Sequence, residues 1–239
     1  MKWIKAECFR WLLVFIFAVA MAWVEAAVVF YLRTMIDRVE PHQPNPFPVI
    51  GGFAPTESVR EAATLVMLLM VGLLAGRTQR SRLGYAAVAF GIWDIFYYVF
   101  LKKMCDWPHS LFDWDVLFLL PLPWWGPVLA PVAISTLLII WGTLASQFEN
   151  QYSTGSSRGV WLLSFAGAAL ALYLFMADTL RVAAQGVDAI RNALPAEFHW
   201  LWFAVALGLM TAPVVQTCRR FWLPRPVPNT RIEATEEFE

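Results

Sequence analysis

The stretch Gly91–Pro131, GIWDIFYYVFLKKMCDWPHSLFDWDVLFLLPLPWWGPVLAP, decides how this chain is read. It sets one acid, Asp94, inside an apolar run and two more, Asp113 and Asp115, at the mouth of another. Two tyrosines and two lysines follow the first acid, and Pro108, Pro121, Pro123, Pro127 and Pro131 punctuate the rest. From Asp113 to Gln147 charge is almost absent, and this run exceeds the roughly 20 residues of one membrane span. Pro121 and Pro123 must break it, because a proline inside a helix loses a backbone bond and clashes with the preceding turn. Asp113–Leu120 is then at most two helical turns, about 12 Å, too short to cross a bilayer. The sequence therefore predicts a re-entrant or interfacial half-helix, a turn at PLPWWGP, and a span from Pro127 to Gln147. Irregular backbone survives at membrane depth only where protein or water satisfies it, so this segment also points to a cavity.

Working outward, the same kind of apolar block recurs along the chain. Trp11–Leu32 is longer than the roughly 7–15 residues of a signal peptide's apolar region, so it is read as an uncleaved first span. Residues 33–57 carry Pro41, Pro44, Pro46, Pro48 and Pro55 and read as an extramembrane loop. Ser58-Val59-Arg60-Glu61 fits a capping box that opens a second span reaching Gly76. GRTQRSR (76–82) is a basic turn before the third span, Leu83–Leu101. The polar segment 148–159 separates span four from span five, Val160–Ala177, and His199–Thr217 makes the sixth. Residues 181–195 are mildly amphipathic, with Val187, Ile190 and Leu194 at helical spacing. The expected fold is an all-α membrane protein: a six-transmembrane-helix bundle over residues 1–218, with the half-helix between spans three and four. Residues 219–239 are expected to form a poorly ordered cytoplasmic tail.

Composition agrees with this class. Of 239 residues, 59% are hydrophobic and 15% charged, against about 45–50% and 25% in soluble domains. Thirteen tryptophans suit a chain with two membrane–water interfaces. The balance of 18 basic and 18 acidic residues argues against nucleic acid as a partner. Cys8, Cys105 and Cys218 form no CxxC pair and no disulfide framework. With the N-terminus inside, Lys2, Lys5, Arg10, Arg77, Arg80, Arg82, Arg158, Arg219, Arg220, Arg225 and Arg231 are cytoplasmic. Arg33, Arg38, Arg60, Lys102, Lys103, Arg181 and Arg191 lie outside. That bias favours both termini in the cytoplasm.

Acids within a span are costly and mark function by default. Glu25 lies eight residues before Arg33, and Asp94 eight before Lys102, so both sit about 12 Å beneath the outer boundary. The other end charges gather on that side: Arg60, Glu61, Asp113, Asp115, Asp178 and Arg181. The inner halves of the spans show no internal charge on this reading. Asp94, Tyr98 and Lys102 share one helix face, with Tyr97 beside it. Glu25 and Asp94 are then expected to meet in a site with Glu61, ringed by Arg33, Arg60, Tyr98, Lys102, Asp113 and Asp115. These acids are also the candidate oxygen ligands of a hard cation: Glu25, Glu61 and Asp94. In a reaction Glu25 or Asp94 would be base or ligand, and Arg60 or Lys102 would orient an anionic group.

Each feature has a plainer alternative. Glu25 and Asp94 also serve as interhelix pairs, Glu61 as a helix-start charge and Asp113 as an N-cap. Asp113-x-Asp115 resembles the D-x-D of metal–nucleotide enzymes, but on a helix the two point to different faces. Tyr97, Tyr98, Trp107, Trp124 and Trp125 suit an interfacial belt. His42, His109 and His199 lack haem or zinc spacing, and no nucleotide, G-x-S-x-G or H-E-x-x-H motif is present. Gly72–Gly76 is a G-x-x-x-G in span two.

The blocks WVEAAVVFYLR (23–33), REAATLVMLL (60–69), WDIFYYVFLK (93–102) and SLFDWDVLFLLPLPWWGPVLAP (110–131) resemble a family of uncharacterised bacterial multi-pass membrane proteins. The resemblance covers roughly the first 135 residues. It implies a bacterial inner-membrane setting and carries no activity over. The sequence thus favours a periplasm-facing, acid-lined intramembrane site for a cation or a small polar or lipid-like molecule. A transporter or channel, or a subunit or assembly factor with membrane-protein partners, are the alternatives.

Overall fold

A computed structural model describes residues 2–37, 40–43, 53–119, 121–147, 157–191, 193–195 and 197–222. The helices are α1 (Lys2–Met35), α2 (Phe53–Ala75), α3 (Gln79–Cys105), α4 (Leu129–Gln147), α5 (Arg158–Val182), α6 (Val187–Arg191), α7 (Trp200–Met210) and α8 (Ala212–Trp222). Among the described residues six segments are long and apolar enough to cross a bilayer, the sixth being Trp200–Arg219 across α7 and α8. Chain direction alternates from one to the next, so the ends of α1, α3 and α5 meet the starts of α2, α4 and α7. We call that the hairpin end, and the opposite one the terminal end. The chain is a multi-pass membrane protein, and the six-helix class expected from the apolar blocks is what forms.

Helix α3 is the hub. It packs on α1, α2 and α4. Half of its most apolar window is buried, against 22–28% in the other spans. It is also the least apolar of the six. Lipid is as apolar as leucine, so the outer helices carry the greasiest faces, and packing inside the bundle falls to small side chains. A Cβ on Gly142 would stand 2.3 Å from the Gly84 carbonyl oxygen, and one on Gly91 would stand 2.5 Å from that of Ser135. Backbone meets backbone along α3 and α4. On the other flank a Cβ at Gly72 would fall 2.4 Å from the Ala86 nitrogen, so the first glycine of G-x-x-x-G is a contact between α2 and α3. Helices α5 and α7 pack together as a second layer against α4 and the hairpin.

Several boundaries move for physical reasons. α2 begins at Phe53, so Ser58 lies inside the helix and does not cap it. Pro55 is tolerated because the first-turn N–H groups have no intrahelical partner anyway. α3 does open with a capping box, Thr78 with Ser81, and it closes on Asp106 in the left-handed region at φ 58°. Ser157 caps α5 by accepting from the Val160 N–H. α8 runs past the expected start of the tail at residue 219, and residues 223–239 lie outside the described residues.

The main correction is the segment after α3. Strands β1 (Trp114–Phe118) and β2 (Trp124–Pro127) form an antiparallel hairpin where a half-helix was expected. WDVLF is aromatic and β-branched, which suits a pleated surface. Prolines at 121 and 123 cap any helix at a length where nucleation costs more than the bonds return. Pairing the two arms satisfies the backbone instead. Asp115 stands opposite Gly126, Val116 opposite Trp125, and the register shifts before Phe118, which faces Trp124. One face, with Trp114 and Trp125, lies under His42, whose ring stacks on Trp114 at 6.0 Å. His42 Nε2 is 3.0 Å from the Pro195 carbonyl. The other face turns into the bundle: Leu117 and Trp124 pack on α4 and α5 around Phe175. Thr179 of α5 donates to the Pro123 carbonyl at 2.9 Å.

Candidate functional site

The charged side chains of the hairpin end resolve into linked groups. In the first, α1 ends with Arg33 pointing at the hairpin, where its Nη2 lies 2.7 Å from Asp115 Oδ1. Asp115 is 1% exposed and Arg33 9%. The guanidinium also lies 4.3 Å from the centre of the Trp107 ring, a cation–π contact, and donates to the Tyr97 hydroxyl at 3.5 Å. The Val116 N–H donates to Asp115 Oδ1 at 2.9 Å. Burial pushes the Asp115 carboxyl above the usual carboxylate range, against the opposing pull of Arg33 and that N–H. The buried Tyr98 side chain hydrogen-bonds the same carboxyl.

In the second group Arg60 of α2 forks between two acids. It pairs with Glu25 across helices and with Glu57 one turn back, Nε lying 2.9 Å from both Glu57 oxygens. Thr64 donates to Glu25 Oε2 at 3.2 Å. Glu61 turns the other way and accepts the Leu119 N–H at 2.9 Å, just beyond β1. It therefore tethers the hairpin to α2, a role different from the helix-start charge expected for it. Asp94 accepts from Ser135 of α4 at 2.8 Å, deep between α3 and α4.

Glu25 and Asp94 take different partners: Glu25 is engaged by α2 and Asp94 by α4. What joins the groups is Tyr97, which lies within electrostatic reach of Asp115, Arg33, Glu25 and Arg60. Tyr98 is buried beside it, its ring 6.2 Å from Trp107. Among the described residues no three of His, Cys, Asp and Glu stand where they could share a metal ion. The trio Glu25, Glu61 and Asp94 fails because each carboxyl is drawn to a different partner.

Two other expected members lie apart. Lys102 leaves the Asp94–Tyr98 face for the surface, 2.8 Å from the exposed Asp106 carboxylate, and holds that carboxyl below its ordinary range. Asp113 does not cap a helix; its Oδ2 accepts from the His109 and Ser110 N–H groups at 2.7 and 3.2 Å and shapes the loop before β1. His109 pairs with Glu40 at 3.3 Å on the surface. Asp178 and Arg181 pair with each other at 3.3 Å along α5.

Sequence reasoning passed over Ser135, Thr64 and Glu57, the partners that fix each acid. Their signal was modest: a small hydroxyl residue inside an apolar span, and an acid one turn before Arg60. It also passed over Glu7. At the terminal end Glu7 is 4% exposed and accepts from the Tyr85 hydroxyl at 3.0 Å. Arg10 lies 3.0 Å from it, and Gln147 donates to its carbonyl at 3.3 Å. The terminal half of the bundle therefore does hold internal charge, contrary to the expectation. Glu7 follows Lys5 and precedes Arg10, which made it look like part of a solvated basic start.

No family model, curated protein or solved structure matches the chain.

Proposed function

We propose that the hairpin end of the bundle is an intramembrane site that binds a cation or a small polar or lipid-like molecule. The observation that supports it is the charge balance beneath the hairpin. Among the described residues, Glu25, Glu57, Glu61, Asp94 and Asp115 gather there, and the basic side chains that pair with them are Arg33 and Arg60. Buried charge in a low-dielectric setting needs compensation, and acids left in excess favour a positive or hydrogen-donating occupant. An anionic group is disfavoured, since Arg33 and Arg60 already carry carboxylates and Lys102 points away. Asp94 and Glu61 are the residues on which the ligand depends, as neither pairs with a basic side chain within hydrogen-bond distance among the described residues. In this reading the hairpin end faces the periplasm of a bacterial inner membrane and both termini are cytoplasmic, as the distribution of basic residues favours.

The test is native mass spectrometry with elemental analysis of the protein purified in mild detergent. The parent is expected to carry a bound mass or to gain thermal stability with an added cation or lipid. Asp94→Asn and Glu61→Gln are expected to lose that response while staying folded. A parent with no bound mass and no response, or variants responding as the parent does, would refute the reading.

A further inference from the structure

The terminal end of the bundle carries a basic face built from three segments that touch. They are the turn from α2 into α3 (76–82), the start of α5 (157–165) and α8. Arg80 Nη2 donates to the Thr217 hydroxyl at 3.4 Å, and Gln216 Nε2 donates to the Ser157 hydroxyl at 3.5 Å, so α8 joins the other two. The three segments include Arg77, Arg80, Arg82, Arg158 and Arg219 and contain no acidic residue. Arg77, Arg158 and Arg219 are exposed, and Arg80 and Arg82 are half-buried. Among the described residues the acid of this end is Glu7, which is buried and paired with Arg10. Each exposed arginine is matched by an exposed apolar side chain about one turn deeper in the bundle. Leu74 lies three residues before Arg77 and is 86% exposed, Leu162 four after Arg158 at 69%, and Val215 four before Arg219 at 45%. Residues four apart share a helix face, so on α5 and α8 the cation and the apolar side chain stand in line. Trp161, beside Leu162, packs edge-on against Trp141 at 5.7 Å, an aromatic pair at the level where a membrane–water boundary favours one.

We propose that this three-segment face is a docking surface for the headgroups of anionic phospholipids. It lies at the opposite end of the bundle from the hairpin and does not depend on the reading given above for that site. A guanidinium meets a phosphate through two parallel N–H bonds, and arginine keeps its charge at any ordinary pH. The order along each helix, a cation at the rim and an exposed apolar side chain one turn deeper, matches the order of phosphate and acyl chain in a phospholipid. A soluble polyanion would meet the arginines and find no use for the apolar side chains beneath them. No acid on the three segments offsets the arginines, so a negative surface is attracted to all of them together. Basic residues at the surface of an anionic leaflet contribute about fivefold each in affinity.

The experiment titrates the full chain, purified in mild detergent, with dioleoyl phosphatidylglycerol or dioleoyl phosphatidylcholine and counts bound lipid by native mass spectrometry. The parent is expected to take up phosphatidylglycerol in clear preference to phosphatidylcholine. Arg158→Gln and Arg219→Gln are each expected to weaken phosphatidylglycerol binding about fivefold and to leave phosphatidylcholine binding unchanged. Lys103→Gln, an exposed cation at the hairpin end, is expected to change neither. Thermal unfolding checks that the variants keep the fold, and Arg219→Gln alone decides the matter where Arg158→Gln does not. Glycerol phosphate is expected not to compete, because it has no acyl chain to lie along the apolar side chains; competition by it would overturn the lipid assignment. A parent without preference, arginine variants that bind as the parent does, or an equal loss in Lys103→Gln would also overturn it. A parent that binds phosphatidylglycerol only once Glu233, Glu236, Glu237 and Glu239 are changed to Gln would give the face to the chain's own acidic tail and overturn it as well.

Discussion

The Arg33–Asp115 pair offers the sharpest energetic prediction. The pair joins the end of α1 to β1, and the side chains are 11% and 1% exposed. Removing Asp115 alone leaves a guanidinium in a site largely closed to water. It keeps, among its contacts, the Trp107 face at 4.3 Å and the Tyr97 hydroxyl at 3.5 Å. A cation–π contact is worth about 0.5–2 kcal/mol and was present already, so it does not replace the lost charge. Breaking a buried pair in this way costs about 3–5 kcal/mol. Replacing both members by apolar residues removes both desolvation costs, and the pair itself contributes little net stability. Asp115→Leu and Arg33→Met are each expected to destabilise by about 3 kcal/mol or more, and the double variant by about 1 kcal/mol or less. The assay is unfolding in mixed detergent micelles titrated with dodecyl sulfate, followed by tryptophan fluorescence. Single variants within about 0.5 kcal/mol of the parent, or losses that simply add in the double variant, would refute the reasoning.

Further outcomes follow from the same structure. Gly142→Val would drive a side chain into the Gly84 carbonyl, where a Cβ already stands 2.3 Å away; helices α3 and α4 are expected to separate, with a loss above the roughly 1–3 kcal/mol of ordinary overpacking, read as lost folded yield. Glu61→Ala frees the Leu119 N–H, and hydrogen exchange is expected to rise at Leu119 and along β1 while α3 stays protected. Tyr85→Phe removes the hydroxyl that donates to Glu7 and is expected to cost about 1–3 kcal/mol in the same unfolding assay, with hairpin exchange unchanged. In a protein whose native cysteines are replaced by serine, an impermeant maleimide added to intact cells is expected to label Lys103→Cys and spare Arg77→Cys. The reverse pattern would invert the proposed orientation.

The helical frame was legible because it rests on length and apolarity, which the bilayer reads one span at a time. Gly72 was legible for a similar reason, since close helix packing in lipid selects small residues. The hairpin was not. The two prolines told correctly that Asp113–Leu120 does not cross, but a short apolar run does not choose between half-helix and strand until its partner arm is known. Asp115 shows the consequence: on a helix it would diverge from its neighbours, and on β1 it reaches Arg33, 82 positions away. The common depth of Glu25 and Asp94 was read from spacing, yet depth does not fix azimuth. Which helix engages each acid depends on Thr64 and Ser135, polar residues too small to stand out in an apolar run. Glu7 was hidden by its basic neighbours, and only the approach of Tyr85 and Gln147 makes it a buried acid.

The seat of the hairpin against α2 is the point on which the site depends, and cross-linking tests it directly. In a protein without its native cysteines, Glu61→Cys and Leu119→Cys would be joined by a short bis-reactive thiol linker in native membranes and the product identified by peptide mass spectrometry. The Glu61 carboxylate lies 2.9 Å from the Leu119 N–H, so efficient cross-linking is expected, and a control pair of Glu61→Cys with Lys103→Cys is expected to stay unlinked. A Leu119 cysteine that does not link to position 61, or links no better than the control, would contradict a hairpin seated in the bundle and remove the proposed site with it.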